Sequence, residues 1–118
     1  MERLTNKEEE IMQALWRLEK GFVKEIIEIL PEGNHYNTVS TIVRNLEDKG
    51  YVSYEAFGKT HRYFPLVSKE EYTTRFMNLA MKRYFNDSYK SMVSFFAKEE
   101  KISAAELREI LEIIEKKA

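Results

Sequence analysis

The chain has 118 residues, 43% of them hydrophobic, and no cysteine. That is enough for one compact domain or two small ones, and it excludes disulfides, thiolate metal sites and cysteine nucleophiles. No apolar run approaches the roughly 18 to 20 residues that span a bilayer, and the charged start MERLTNKEEE lacks the apolar segment of a signal peptide. A reducing cytoplasm, with no membrane partner, is the expected setting.

In chain order, Thr5 and Glu8 make a capping box, so a helix should begin near Asn6. Ile11, Leu15 and Leu18 recur at helical spacing, and Gly21 should end this helix. A second, short helix is expected from Val23 to Leu30, burying Val23, Ile26, Ile27 and Leu30, with Pro31 and Gly33 stopping it. A third should start near Asn37 or Thr38 and run to about Lys49. Val39, Ile42, Val43 and Leu46 form its buried stripe, and Gly50 is the expected left-handed residue after it. Strand character follows over residues 51–57, a turn at Gly58-Lys59-Thr60, and a returning strand from His61 that Pro65 ends. Three helices followed at once by a hairpin is the order of a winged helix-turn-helix.

From Ser68 the chemistry changes. Ser68 with Glu71 and Ser103 with Glu106 are two more capping boxes, and Asn86-Asp87-Ser88 interrupts a long amphipathic pattern. Three helices are expected, rich in bulky apolar side chains. About 50 residues cannot bury so many large groups alone, so two copies should pack together, in keeping with the preference of soluble proteins for symmetric dimers. The expected fold class is mainly α with a small β-hairpin. A winged helix-turn-helix DNA-binding domain would span 1–67 and a helical dimerisation domain 68–118. The dimer contact would use Phe76, Leu79, Phe85, Met92, Val93, Phe96, Leu107, Ile110, Leu111 and Ile114.

Charge is distributed unevenly. Nineteen basic against twenty acidic residues leave −1 overall, where many DNA-binding domains are clearly basic. Residues 37–64 nevertheless carry four basic and three acidic groups plus His61, whereas residues 1–36 carry five basic and eight acidic. Weak nonspecific binding with a steep salt response is expected. The outer face of the third helix shows Asn37, Thr38, Ser40, Thr41, Arg44 and Asn45. Hydroxyls and amides reach phosphates and base edges, and an arginine can grip guanine bidentately. Lys59, His61 and Arg62 surround the hairpin turn and suit backbone phosphates. Strand alternation puts His61 and Tyr63 on one face and Arg62 on the other, so His61 and Arg62 cannot both be central. His35 and His61 lack metal-ligand spacing, so no metal or cofactor is expected. The run Glu8-Glu9-Glu10 and the pair Glu99-Glu100 read as solvated helix charges.

Three strings carry a family resemblance: E-x-x-I-M-x-x-L-W from Glu8, T-V-S-T-I-V-R-N-L-E-D-K-G-Y-V from Thr38, and G-K-T-H-R-Y-F-P-L-V-S-K-E-E-Y from Gly58. Together they resemble the penicillinase repressor family, the BlaI/MecI-type regulators of β-lactam resistance. The resemblance implies a homodimeric winged-helix repressor that binds double-stranded, pseudo-palindromic operator DNA. It also implies a sensor protease system as a further partner, with cleavage in the dimerisation domain at the step that falls at Phe95-Phe96. Here Phe95 stands where the staphylococcal-type site has Asn. Absent cysteine excludes the copper-responsive branch's metal site. Arg44-Asn45 reverses the Asn-Arg order of many members, which moves the basic group about 100° around the helix. A winged-helix protein–protein module is the alternative reading. An enzyme has no nucleophile–base pair or metal motif to support it, and no small-molecule substrate is implied.

Overall fold

The computed structural model describes residues 1–117. Among them the elements run α1 (Asn6–Leu18), α2 (Val23–Ile29), α3 (Tyr36–Asp48), β1 (Val52–Phe57), β2 (Thr60–Pro65), α4 (Lys69–Phe85), α5 (Tyr89–Lys98) and α6 (Ala104–Lys117). They group into two compact units, the first Met1–Thr74 and the second beginning at Arg75. The division falls inside α4, so the first six residues of that helix belong with the N-terminal unit.

The N-terminal unit is a winged helix. Thr5 and Glu8 form the reciprocal capping box that starts α1. The Glu25 carboxylate accepts from the Phe22 N–H at the start of α2 (2.9 Å). Ile11, Leu15, Ile26, Val39, Val43 and Leu46 meet between the three helices and are fully buried. Each such side chain contributes about 1.5–3 kcal/mol by leaving water, which overrides the poor helix propensity of the β-branched residues in α3. Ile27 and Ile42, expected in this core, are only half-buried.

The hairpin pairs Val52 with Pro65, Tyr54 with Tyr63 and Phe57 with Thr60. Its loop is two residues, Gly58-Lys59, rather than three. Gly58 has φ +62, the left-handed first position that only glycine takes without strain in a II′ turn. Gly21 does not end α1. The helix closes at Leu18, and Glu19 at φ +70 donates its N–H back to the Leu15 carbonyl. Gly21 instead exchanges two 2.8 Å backbone hydrogen bonds with Tyr63, fastening the wing to the helices along the free edge of β2. Trp16 donates its indole N–H to the Val67 carbonyl (2.9 Å) and packs against Tyr72 of α4. Burial, and then a hydrogen bond to the Glu9 carboxylate, push the Tyr72 phenol up to about 12.

In the second unit, Asn86 and Asp87 take positive φ and Ser88 caps α5. The Ser103–Glu106 capping box opens α6. Phe85, Phe95 and Phe96 form a ring cluster with centroids 5.3–6.4 Å apart, and Tyr89 donates to Asn78 (2.9 Å). Neither α5 nor α6 buries a single residue within one copy of the chain. No helix among the described residues is long and apolar enough to cross a membrane.

Candidate nucleic-acid interface

α3 presents a polar face because its apolar residues sit on one stripe under it. Asn37, Thr38, Thr41, Arg44 and Asn45 are exposed and Ser40 is half-buried. Thr41 donates its hydroxyl hydrogen to the Asn37 carbonyl (2.9 Å), which leaves the oxygen as an acceptor. Arg44 and Asn45 point to opposite flanks. Asn45 borders a shallow groove with Thr5, Glu8 and Lys49, whereas Arg44 leans towards the wing.

Between α3 and the wing lies a concave notch of about 520 Å³. Phe22, Val23 and Tyr63 supply its apolar lining. Tyr36, Ser40, Thr60 and His61 supply hydrogen-bonding groups, and Lys24, Arg44 and Lys59 supply charge. Among the described residues no carboxylate lines it. None of these three cations makes a salt bridge among the described residues, whereas Lys7, Lys20 and Lys49 are all paired. The His61 ring is held by a parallel stack on Tyr54, 3.9 Å between centroids. Burial raises the Tyr63 phenol, with Glu47 adding to the effect and Arg44 opposing it. Hence four of the nine residues expected at the interface, Ser40, Arg44, Lys59 and His61, converge on the notch. Asn37, Thr38, Thr41 and Asn45 lie along the open face of α3. Arg62 stands opposite Glu55, on the other face of the hairpin from Tyr54, His61 and Tyr63. Lys24 and Tyr36 join the notch although sequence reasoning passed over them. The available signals were an exposed cation in the first turn of α2 and an aromatic residue opening α3.

One glutamate departs from expectation. Glu8 is not a solvated charge but is 4% exposed. It accepts from the Thr5 backbone N–H (2.9 Å) and from Lys49 Nζ (2.8 Å), which ties the start of α1 to the C-terminal cap of α3. Burial pushes its carboxyl up, but the bonds from Lys49 and Thr5 outweigh that and hold it below the ordinary value. Lys49 is raised, first by its bond to Glu8. A carboxyl lowered in the folded state stabilises the protein above its unfolded pKa. That contribution disappears as the pH falls through the lowered folded value. We expect Glu8→Gln to cost about 2 kcal/mol at neutral pH. The difference between wild type and variant in urea titrations should shrink as the pH is taken below 4.5. A pH-independent difference would show that the charge of Glu8 is not what stabilises the fold. Glu99 and Glu100 are exposed, but they close α5 rather than lie within it.

The three-helix unit with its hairpin wing defines the winged helix-turn-helix class. The sequence model of the penicillinase repressor family matches residues 4–116. The chain is 24% identical over 115 residues to the penicillinase repressor of Bacillus licheniformis, covering 96% of this chain and 90% of that protein. It is 22% identical over 116 residues to the methicillin resistance regulatory protein MecI of Mammaliicoccus sciuri and of Staphylococcus aureus strain N315, covering 97% of this chain and 94% of each. The chain belongs to the penicillinase repressor family, a family of transcriptional repressors.

Proposed function

We propose that this protein is a homodimeric repressor that binds a pseudo-palindromic operator. The observation that carries the reading is the α3–wing notch. Three unneutralised cations gather there, with no carboxylate in the lining, in a chain whose net charge is −1. Polyanion binding is the physical use of such a patch. Asn37, Thr38, Ser40, Thr41, Arg44, Asn45, Lys59 and His61 form the DNA face. Arg62 sits at its margin.

The second unit supports the dimer. Leu111, Ile113 and Ile114 are each more than half exposed in one copy, and a second copy is the economical cover for that surface. Residues Phe76, Leu79, Phe85, Met92, Val93, Phe96, Leu107 and Ile110 extend the same contact. The names of its relatives support a β-lactam resistance gene as the target, and membership of a repressor family supports a cytoplasmic setting. A sensor protease acting at Phe95-Phe96 must first open the last turn of α5, where both rings pack against Phe85 at the end of α4.

The near-neutral charge favours the second reading, a protein–protein module. A gel shift on the protein's own promoter fragment across salt concentrations separates the two. We expect a preference of about a thousandfold or more over random duplex, within the usual range for specific DNA binders, and a steep loss of affinity with salt. Equal affinity for both DNAs at every salt concentration would remove the repressor reading.

A further inference from the structure

The notch also divides labour among the DNA-facing residues, an inference that rests on the repressor reading. An arginine on the reading helix would ordinarily be assigned to a guanine. The surroundings of Arg44 argue otherwise. Its side chain lies back along α3, with Nε 3.4 Å from the Ser40 carbonyl, and it lines the notch beside Tyr63 rather than the open face. Across the notch are Lys59 of the wing and Lys24 of α2, neither of them hydrogen-bonded or ion-paired among the described residues. Three positive groups from three separate elements cannot all read one base edge. They can surround one stretch of sugar–phosphate backbone, which crosses between a reading helix in the major groove and a wing beside it. The hydroxyls of Tyr36 and Ser40 add phosphate donors at the same place, whereas Thr60 already donates its hydroxyl hydrogen to the Phe57 carbonyl (2.8 Å).

We propose that the notch seats the operator's phosphate backbone, with Lys24 and Arg44 as backbone contacts, and that base reading falls to the open face of α3 that carries Asn37, Thr41 and Asn45. Lys24 is thereby a DNA contact outside both the reading helix and the wing. The reversed Arg44-Asn45 order acquires a physical meaning. The cation serves the backbone flank, and the amide occupies the opposite flank.

The test uses full-length protein, the promoter fragment, random duplex and a panel of single-base-pair variants of the fragment. Lys24→Ala and Arg44→Ala should each weaken binding about five- to tenfold. Each removes one phosphate contact from both half-sites of the dimer, so each should also lower the slope of log affinity against log salt by about 1.8 and leave the ranking of the base-pair panel unchanged. Arg44→Lys should restore affinity and slope, because a phosphate accepts either cation while a bidentate guanine contact does not. Both side chains are exposed, so unchanged melting is the expected control. A wild type without preference for the promoter would sink the repressor reading and this inference with it. A wild type with that preference, whose Arg44→Ala and Arg44→Lys variants both lose discrimination at one base pair, would overturn the inference alone. So would a Lys24→Ala variant with the wild-type salt slope.

Discussion

On the proposed dimer, Leu111→Asp combined with Ile114→Asp should leave a monomer in sedimentation equilibrium and weaken operator binding by about a hundredfold or more. Leu107, Leu111 and Ile114 stand at positions i, i+4 and i+7 of α6, on one stripe. Leu111 is 52% exposed and Ile114 59% exposed within a single copy. A carboxylate at either position stays hydrated in the monomer and costs little there. Between two copies it would be buried without a partner, at a cost of several kcal/mol. The loss of DNA binding follows from avidity. Two linked reading heads exceed one by about 10²–10⁴ in affinity, and one head here has only a few unneutralised cations with which to grip. Helix content by circular dichroism should be retained. A dimer that survives both substitutions would place the contact away from α6. A monomer that binds the promoter at wild-type affinity would show that dimerisation is unnecessary.

Leu46→Ala should destabilise the N-terminal unit by about 2–5 kcal/mol, the usual cost of emptying a fully buried leucine site. Leu46 is 0% exposed and packs under α3 among the core residues that join it to α1 and α2. The chain's single tryptophan, Trp16, belongs to this unit, so its fluorescence in a urea titration reports the unit alone. The midpoint should fall at constant m-value. Operator affinity should fall with it, because the reading face is held in place only by the stripe beneath. A loss below about 1 kcal/mol would mean that the core closes over the vacancy.

Local signals carried most of the architecture. The three capping boxes place the starts of α1, α4 and α6 because each is a contact between residues three apart. Gly50 adopts the left-handed backbone that its position after α3 suggested, and Gly58 opens the hairpin turn expected there. The Val39–Val43–Leu46 stripe fixes which face of α3 turns outwards, and so which polar residues can meet a ligand. Expectations failed where a distant partner decides. Gly21 looked like a helix stop, but its hydrogen bonds go to Tyr63, 42 residues away. Glu8 looked solvated within a run of three glutamates, but Lys49 comes to it from the far end of α3.

By itself, the sequence determined the element order, the winged-helix class, the polar outer face of α3 and the apolar excess of the last 50 residues. Each of these depends on spacing along a helix or strand, which a linear reading preserves. Only the tertiary structure decided that Arg44 and Asn45 face opposite flanks of a built surface, and that Lys24 and Tyr36 belong with the wing. A notch exists only once α2, α3 and the hairpin have packed together. Its charge is the sum of side chains as far apart in the chain as Lys24 and Lys59.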